Sequence, residues 1–546
     1  MRREAWLGQL AAQRFDLLVI GGGIVGAGIA RDAAMRGLKV ALIEQGDFAS
    51  GTSSKTSKLI HGGLRYLEHG HVRLVQESLR ERHILRSIAP TFVRPLSLLL
   101  PVYDGDHHPR WQISLGLTLY DLLALGHNLR THRMVSARRA HELEPALACA
   151  GLRGAGLYMD CQMDDARLCL ANILQAASFG AVCGNYVRLR DLLTVEGRIC
   201  GGVVEDVFTG RAIEIQAQVV VNATGPWADM VRRFSEAGAP PRIAPTQGVH
   251  LILPAIVQEA LFVEGRRDRR MLFLLPWGDY TLVGTTETEV TGSLDALTAS
   301  ADDVGYLLEE VRRVVPGRHL DEEDIIATYA GARPLLAFAG SSTSASREHR
   351  IEVDARGLVS VMGGKYTTYR LIAQEAVDYL VRRHHWQVDR CLTDRVSLLE
   401  GMRPMASDHW ETLLRSVDPD LFARLLNRYG AGALHVLRWL EVEPGLRQPI
   451  CPHHEYIEAE IVYAMQREYA CTLTDVLSRR TRVAWSSCQG LDALSRITAL
   501  FQQNAGCRND EIERQVAEYH GVLARSLAFR PHTTASRQWR GAHADR

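Results

Sequence analysis

Short apolar runs alternate with helix-spaced stretches from the start of the chain. Phe15 to Ile20 (FDLLVI) is an aliphatic run that stops at Gly21. Ile24 to Arg36 follows with small residues on one side, which predicts a helix, and Leu38 to Ile43 (LKVALI) returns as a second buried strand. Strand, glycine turn, helix and strand in such close succession make the βαβ unit of a doubly wound sheet. The segment before Phe15, MRREAWLGQLAAQR, has few apolar residues and reads as a short extension. Ala166 to Phe179 predicts a helix, and residues 203–225 predict a hairpin, turning between Asp206 and Arg211, followed by a buried strand.

The pattern changes between Gly248 and about Ala332. GVHLILP, RMLFLLPWGDYTLVGTT and IIATYAGARPL read as strands around one helix at Asp302 to Val315, so an antiparallel sheet is expected on the βαβ body. Leu358 to Met362 is another buried strand, and Thr367 to Arg383 a helix with Ile372, Ala373, Ala376, Val377 and Leu380 at helical spacing. Beyond about residue 400 glycine becomes rare, with 8 in the last 146 residues against 38 in the first 400. Amphipathic stretches at Glu455 to Tyr469 and Asp510 to Leu527 predict an all-helical C-terminal domain. The expected organisation is an extension at 1–14, an α/β domain at 15–400, a helical domain at 401–530 and a loose tail at 531–546.

Composition narrows the function classes. Lys plus Arg and Asp plus Glu number 63 each, so no global positive field exists to hold a nucleic acid, and a charged ligand must be met by a local cluster. The ten cysteines are scattered. The closest pair, Cys161 and Cys169, is eight positions apart, which excludes C-x2-C zinc and iron–sulfur patterns and suits a reduced compartment. Cys451-Pro452-His453-His454 has no second ligand cluster beside it in the sequence, so no metal site is expected. The N-terminus lacks the apolar core of a secretory signal, and no window holds 18 consecutive apolar residues.

Gly21-Gly22-Gly23-Ile24-Val25-Gly26 is a G-x-G-x-x-G between a strand and a helix. Gly21 permits the tight turn, Gly23 lets a pyrophosphate reach backbone N–H groups at the helix N-terminus, and Gly26 allows close helix packing. Glu44, 18 residues after Gly26 at the end of the second strand, is placed to accept from a ribose hydroxyl. This predicts dinucleotide binding without choosing between NAD and FAD. Val219-Val220-Val221-Asn222-Ala223-Thr224-Gly225 and Met362-Gly363-Gly364-Lys365-Tyr366-Thr367 add two further strand-to-glycine junctions. A cofactor touched from both ends of a long domain suits FAD better.

The run Thr52-Ser53-Ser54-Lys55-Thr56-Ser57-Lys58-Leu59-Ile60-His61-Gly62-Gly63-Leu64-Arg65-Tyr66-Leu67-Glu68 is the most specific piece. With Met163-Asp164-Asp165-Ala166-Arg167-Leu168, Asn222-Ala223-Thr224-Gly225-Pro226-Trp227, Tyr329-Ala330-Gly331-Ala332-Arg333-Pro334-Leu335 and Gly363-Gly364-Lys365-Tyr366-Thr367-Thr368-Tyr369-Arg370, it resembles the FAD-dependent glycerol-3-phosphate dehydrogenases of the aerobic, respiratory type. The resemblance implies a two-dinucleotide-fold (Rossmann-like) FAD domain assembled from about 15–90, 150–235 and 355–390, with a substrate part at about 240–350. It implies oxidation of glycerol 3-phosphate to dihydroxyacetone phosphate, with ubiquinone as acceptor. A peripheral place on the cytoplasmic face of the inner membrane and a homodimer are the accompanying expectations.

The same resemblance places Gly22, Thr52, Ser53, Ser57, His61, Thr224, Gly225, Gly364 and Thr367 at the cofactor. It assigns Arg65, Tyr66 and Lys365 to the substrate phosphate and Arg333 to the C2 oxygen, since a dianion needs fixed cationic donors. His250 is the candidate general base, because imidazole titrates near the working pH, although a strand histidine can equally be structural. Two departures stand out: Lys55 and Thr56 where the family more often has small residues, and Gln247-Gly248-Val249-His250 in place of K-G-S-H. Trp111 to Leu125 is apolar with basic neighbours, compatible with a core helix or with shallow docking in a bilayer. An oxidase using O2 and a non-catalytic flavin-binding regulator are the alternative readings.

Overall fold

The computed structural model describes residues 3–68, 70–337, 348–398 and 417–530. Two sheets organise the first four hundred residues. The first has the strand order His349–Val353, Val359–Gly363, Ala212–Asn222, Arg14–Ile20, Val40–Ile43 and Val182–Gly184, parallel except for its outermost antiparallel pair. The helix Ile24–Met35 packs between it and the helices Asp165–Ser178 and Tyr369–His384. The expected hairpin exists, but its second arm and the following buried strand are one element. Ala212–Asn222 pairs antiparallel with Arg198–Asp206 over its first half and parallel with Arg14–Ile20 over its second.

The second sheet has ten strands, and its central run is Thr246–Pro254, Tyr280–Gly284, Met271–Trp277, Ala260–Glu264, Val93–Tyr103 and Leu152–Met163. It is therefore wider than the expected 240–350 segment, drawing strands from 59–60, 93–103, 133–135 and 152–163. It is also not wholly antiparallel, because Ala260–Glu264 runs parallel to Val93–Tyr103. Ala327–Arg333 pairs with Thr246–Pro254, setting His250 opposite Tyr329 and Gly248 opposite Gly331.

Two expectations are corrected. The N-terminal segment is a helix, Arg3–Ala12, whose Trp6, Leu7 and Leu10 are buried on the first sheet, where Gly184 leaves room for the Trp6 ring. Arg3 pairs with Asp206. Burying three large apolar side chains contributes about 1.5–3 kcal/mol each, which a segment lying free of the sheet would forgo. The C-terminal part is not all-helical, since Pro449–Cys451 and His454–Ile457 form a small hairpin among its helices. The tail at 531–546, and the expected boundary near residue 400, lie outside the described residues.

The Trp111 to Leu125 stretch forms the helix Arg110–Leu123. Leu117 and Tyr120 face the core, whereas Trp111, Leu115, Leu119, Leu122 and Leu125 are exposed, four of them by more than 60 %. The spacing of three and four puts Trp111, Leu115, Leu119 and Leu122 on one stripe, and Leu125 follows in the turn just past the helix end. Asp121 turns to the protein, where His132 Nδ1 lies 2.7 Å from its carboxylate. No described helix is long and apolar enough to cross a membrane.

Candidate active site

The first strand ends in a turn that only glycine can make. Gly21 has φ +110, and a Cβ there would lie 2.7 Å from the Ala223 carbonyl oxygen. Gly26 sits so close beneath that a Cβ would meet Gly21 O at 1.9 Å, so helix and turn pack backbone to backbone. Gly23 begins the helix with no side chain to cap it and no acid in the first turn, while Ile24 N–H donates to Ser53 Oγ at 2.9 Å. Such an N-terminus attracts an anion through its N–H groups and dipole. Glu44 is held by Gly22 N–H at 2.8 Å and Gly46 N–H at 2.9 Å. Burial raises its pKa, and those backbone donors oppose the rise.

A cleft of about 1090 Å³ opens from this turn to the second sheet. Its volume is just above the range of about 300–1,000 Å³ for small-molecule sites, as a large dinucleotide requires. Gly21, Gly23, Glu44, Thr52, Ser53, Ser57, His61, Thr224, Gly225, Gly364 and Thr367 all line it, as do Tyr66, His250, Arg333 and Lys365. Gly364 is left-handed at φ +89, and a Cβ there would strike Ile372 at 2.4 Å. Gly22, Gly26 and Arg65 are not on its wall. Gly22 orients Glu44 and Gly26 packs the helix. Arg65 is one step from Tyr66 on the tight turn Leu64–Leu67, whose threefold winding sends neighbouring side chains in different directions.

The far end carries the acid–base groups. His250 is buried, shares a 2.8 Å hydrogen bond between its Nε2 and Ser57 Oγ, and stacks on Tyr329 with ring centroids 4.9 Å apart. Its Nδ1 is buried with no hydrogen-bond partner among the described residues, so a ligand group or water must satisfy it. Burial, then the charges of Arg333 and Lys58, hold its pKa well below the ordinary histidine value, so the ring is neutral at pH 7. Arg333 Nη2 donates to Thr285 Oγ1 at 2.8 Å and Thr286 O at 3.0 Å, and glycine at 248 is what admits the guanidinium. Lys365 Nζ lies 3.5 Å from the Tyr66 ring centroid, a cation–π contact.

Residues 16–378 match the family model of FAD dependent oxidoreductases, and residues 391–512 match that of the C-terminal domain of alpha-glycerophosphate oxidase. The chain is 37 % identical over 531 residues to a glycerol-3-phosphate dehydrogenase of Synechocystis, covering 93 % of this chain and 96 % of the relative. The chain belongs to the FAD-dependent glycerol-3-phosphate dehydrogenase family. It is also 37 % identical to the mitochondrial enzyme of Homo sapiens, covering 91 % of this chain and 72 % of that one. The structure of the Bacillus halodurans glycerol-3-phosphate dehydrogenase complexed with FAD superposes with a TM-score of 0.79 at 27 % identity, covering 96 % of this chain and 97 % of that one.

The family's cofactor fits what is present. Glu44, with both carboxylate oxygens on backbone donors, suits ribose hydroxyls, and the glycine-started helix, whose N-cap residue has no side chain of its own, suits a pyrophosphate. Several residues that position the site escaped sequence reasoning. Asp165, fully buried, accepts from Thr56 Oγ1 at 2.8 Å and from Lys58 Nζ at 2.6 Å, and its backbone carbonyl accepts from Tyr366 OH at 2.5 Å. It thus fixes the 54–58 segment, and Lys58 is spent internally. Lys55 lines the cleft where its chain crosses Gly331, close enough that a Cβ on Gly331 would be 2.9 Å from Lys55 Cβ. Gln247 instead turns to Thr298 O at 2.8 Å. The departure at 247 removes one cation while the departure at 55 brings one into the cleft.

Proposed function

We propose that this chain oxidises glycerol 3-phosphate at C2 to dihydroxyacetone phosphate and passes the electrons to ubiquinone. The reading is carried by one observation: Arg333, Lys365 and a neutral His250 share a single cleft with the glycine turn and Glu44. When bound there, FAD supplies the acceptor for the C2 hydride. The protein's share is orientation, phosphate neutralisation and removal of the hydroxyl proton. Lys365, steadied over Tyr66, and Lys55 meet the phosphate as point charges. Arg333, locked by Thr285 and Thr286, donates to the C2 oxygen and stabilises the charge that develops as the proton leaves. His250 takes that proton. Nearby Arg333 and Lys58 disfavour the imidazolium, so the proton is handed on rather than retained.

The exposed stripe of Trp111, Leu115 and Leu122, followed by Leu125, supports peripheral membrane binding, which would bring the enzyme to a lipid-soluble quinone on the cytoplasmic face of the inner membrane. Anaerobic addition of glycerol 3-phosphate is expected to bleach the flavin spectrum, and a quinone analogue to restore it. A yellow protein that does not bleach overturns the enzyme reading. Fast turnover with O2 and slow turnover with quinone would replace ubiquinone by oxygen, the oxidase alternative.

A further inference from the structure

We propose that Cys451, His454 and Cys488 form a binding site for a thiophilic divalent cation, zinc in the first instance. Sequence spacing gave no reason to join them, because Cys488 lies 37 residues after Cys451. The fold does. The hairpin of Pro449–Cys451 and His454–Ile457 sets Cys451 directly across from His454. The chain following the short turn Val483–Trp485 then carries Cys488 against the same point. The ligand atoms of all three residues lie within 4.8 Å of one another.

The distances suit one metal sphere. A tetrahedral ion with Zn–S near 2.3 Å and Zn–N near 2.05 Å holds sulfur and nitrogen about 3.5 Å apart. Cys488 Sγ and His454 Nε2 are 3.4 Å apart. A water supplies the fourth position, while Ser486 Oγ, 2.8 Å from the same Nε2 and 3.5 Å from Cys488 Sγ, donates to Val483 O and stands beside the set as a hydrogen-bond neighbour. Cys451 and Ser486 are buried, His454 and Cys488 half-buried, so the point is sheltered yet reachable. Two thiolates and one imidazole favour a thiophilic or borderline metal over Mg²⁺ or Ca²⁺, which prefer oxygen.

The location gives the ion a task. The 483–490 segment carries Trp485, whose ring meets Tyr329 edge-on with centroids 5.9 Å apart, and Tyr329 is the ring stacked on His250. Ser487 N–H donates to Tyr280 OH at 3.2 Å and Gln489 Nε2 to Ile326 O at 3.0 Å. A cation on Cys451, His454 and Cys488 would fasten the C-terminal hairpin to the segment that backs the wall behind His250. The bond is structural, and no electron passes through it.

The test is metal stoichiometry of the FAD-loaded full chain. Protein loaded with Zn²⁺ under reducing conditions and freed of excess by gel filtration is expected to keep about one zinc per chain, falling below about a tenth in Cys488→Ser and in His454→Gln. Both variants should retain FAD, which separates loss of metal from loss of fold. Co²⁺ in place of Zn²⁺ should give a thiolate charge-transfer band in the near ultraviolet that Cys451→Ser weakens. Zinc not retained by the wild type, or retained equally by Cys488→Ser, overturns the proposal. So does intact-mass analysis showing Cys451 and Cys488 joined in a disulfide that persists in the reduced preparation.

Discussion

Gly248→Ala is a one-methyl test of how Arg333 works. Gly248 is buried in the strand Thr246–Pro254, in ordinary extended backbone that any residue can adopt, so the substitution acts through space and not through strain. The added Cβ would sit 2.4 Å from Arg333 Nη2, 2.8 Å from its Cζ and 2.6 Å from Thr285 Oγ1. Carbon contacts settle near 3.5 Å, so the guanidinium must retreat by about 1 Å and give up its bonds to Thr285 and Thr286. A displacement of that size at a reacting centre costs about a hundredfold in rate, equivalent to about 2.7 kcal/mol. The assay is anaerobic single-turnover reduction by glycerol 3-phosphate, followed at the flavin band. The expected outcome is that loss with FAD content unchanged. In an Arg333→Ala background, itself slow in reduction but loaded with FAD, the added methyl should make little further difference, because both changes act on one group. A rate within about threefold of wild type, or full additivity in the double variant, refutes the assignment of Arg333 to the reacting oxygen.

Three further outcomes follow from the same geometry. Because burial and the Arg333 and Lys58 charges lower the His250 pKa, the neutral base persists as pH falls through 6.5, and the acid limb of the reduction rate must lie below that value. A limb at or above 6.5 that disappears in His250→Asn would reverse the sign of the argument. The Lys55 pKa is lowered to about 8, chiefly by burial, then by Arg479 and Arg525, so kcat/KM should fall as pH rises through that value and the phosphate loses a cation. Lys55→Arg should flatten this alkaline limb, and an unchanged limb removes Lys55 from the substrate. Replacing Trp111, Leu115 and Leu122 together by Ser should abolish flotation with phospholipid vesicles while leaving flavin reduction intact, whereas undiminished flotation places the membrane contact elsewhere.

What was legible in the sequence was local. The glycine turn, Glu44 and the strand-to-glycine junctions at 222–225 and 362–367 are fixed by residues a few positions apart, and each falls where its spacing puts it. What was not legible depends on distant partners. Val93–Tyr103 and Leu152–Met163 join the second sheet through pairings that leave no mark on their own alternation. Arg3–Ala12 has too few apolar residues to announce burial, and only the groove beside Gly184 explains why Trp6 is inside. The hairpin at 449–457 has strands of three and four residues, too short to show a period of two. Lys58 and Lys55 looked alike as charges three positions apart. Asp165, over a hundred residues away, decides that one is neutralised inside the fold while the other lines the cleft.

That division of the cations bears on how one cleft holds two phosphorylated molecules in order. The chain as a whole is neutral, so selectivity rests on which end of the cleft carries which sign. At the glycine end the donors are backbone N–H groups and the carboxylate of Glu44 stands beside them, with Arg188 and Arg190 following Val187, whose N–H is bonded to the Glu44 carbonyl. At the other end stand Arg333, Lys365 and Lys55. Backbone donors satisfy a pyrophosphate through geometry and a helix dipole, and Glu44 repels any anion that is not matched to hydroxyls. A small phosphate monoester, with twice the charge density and no ribose, is driven to the cationic end, where full charges outweigh partial ones. Placing lysines at the pyrophosphate would have erased that difference and let substrate compete for the cofactor's seat. Setting Lys365 just after the first-sheet strand Val359–Gly363 and Arg333 at the end of Ala327–Arg333 in the second sheet puts the phosphate and the carbon to be oxidised in a single orientation.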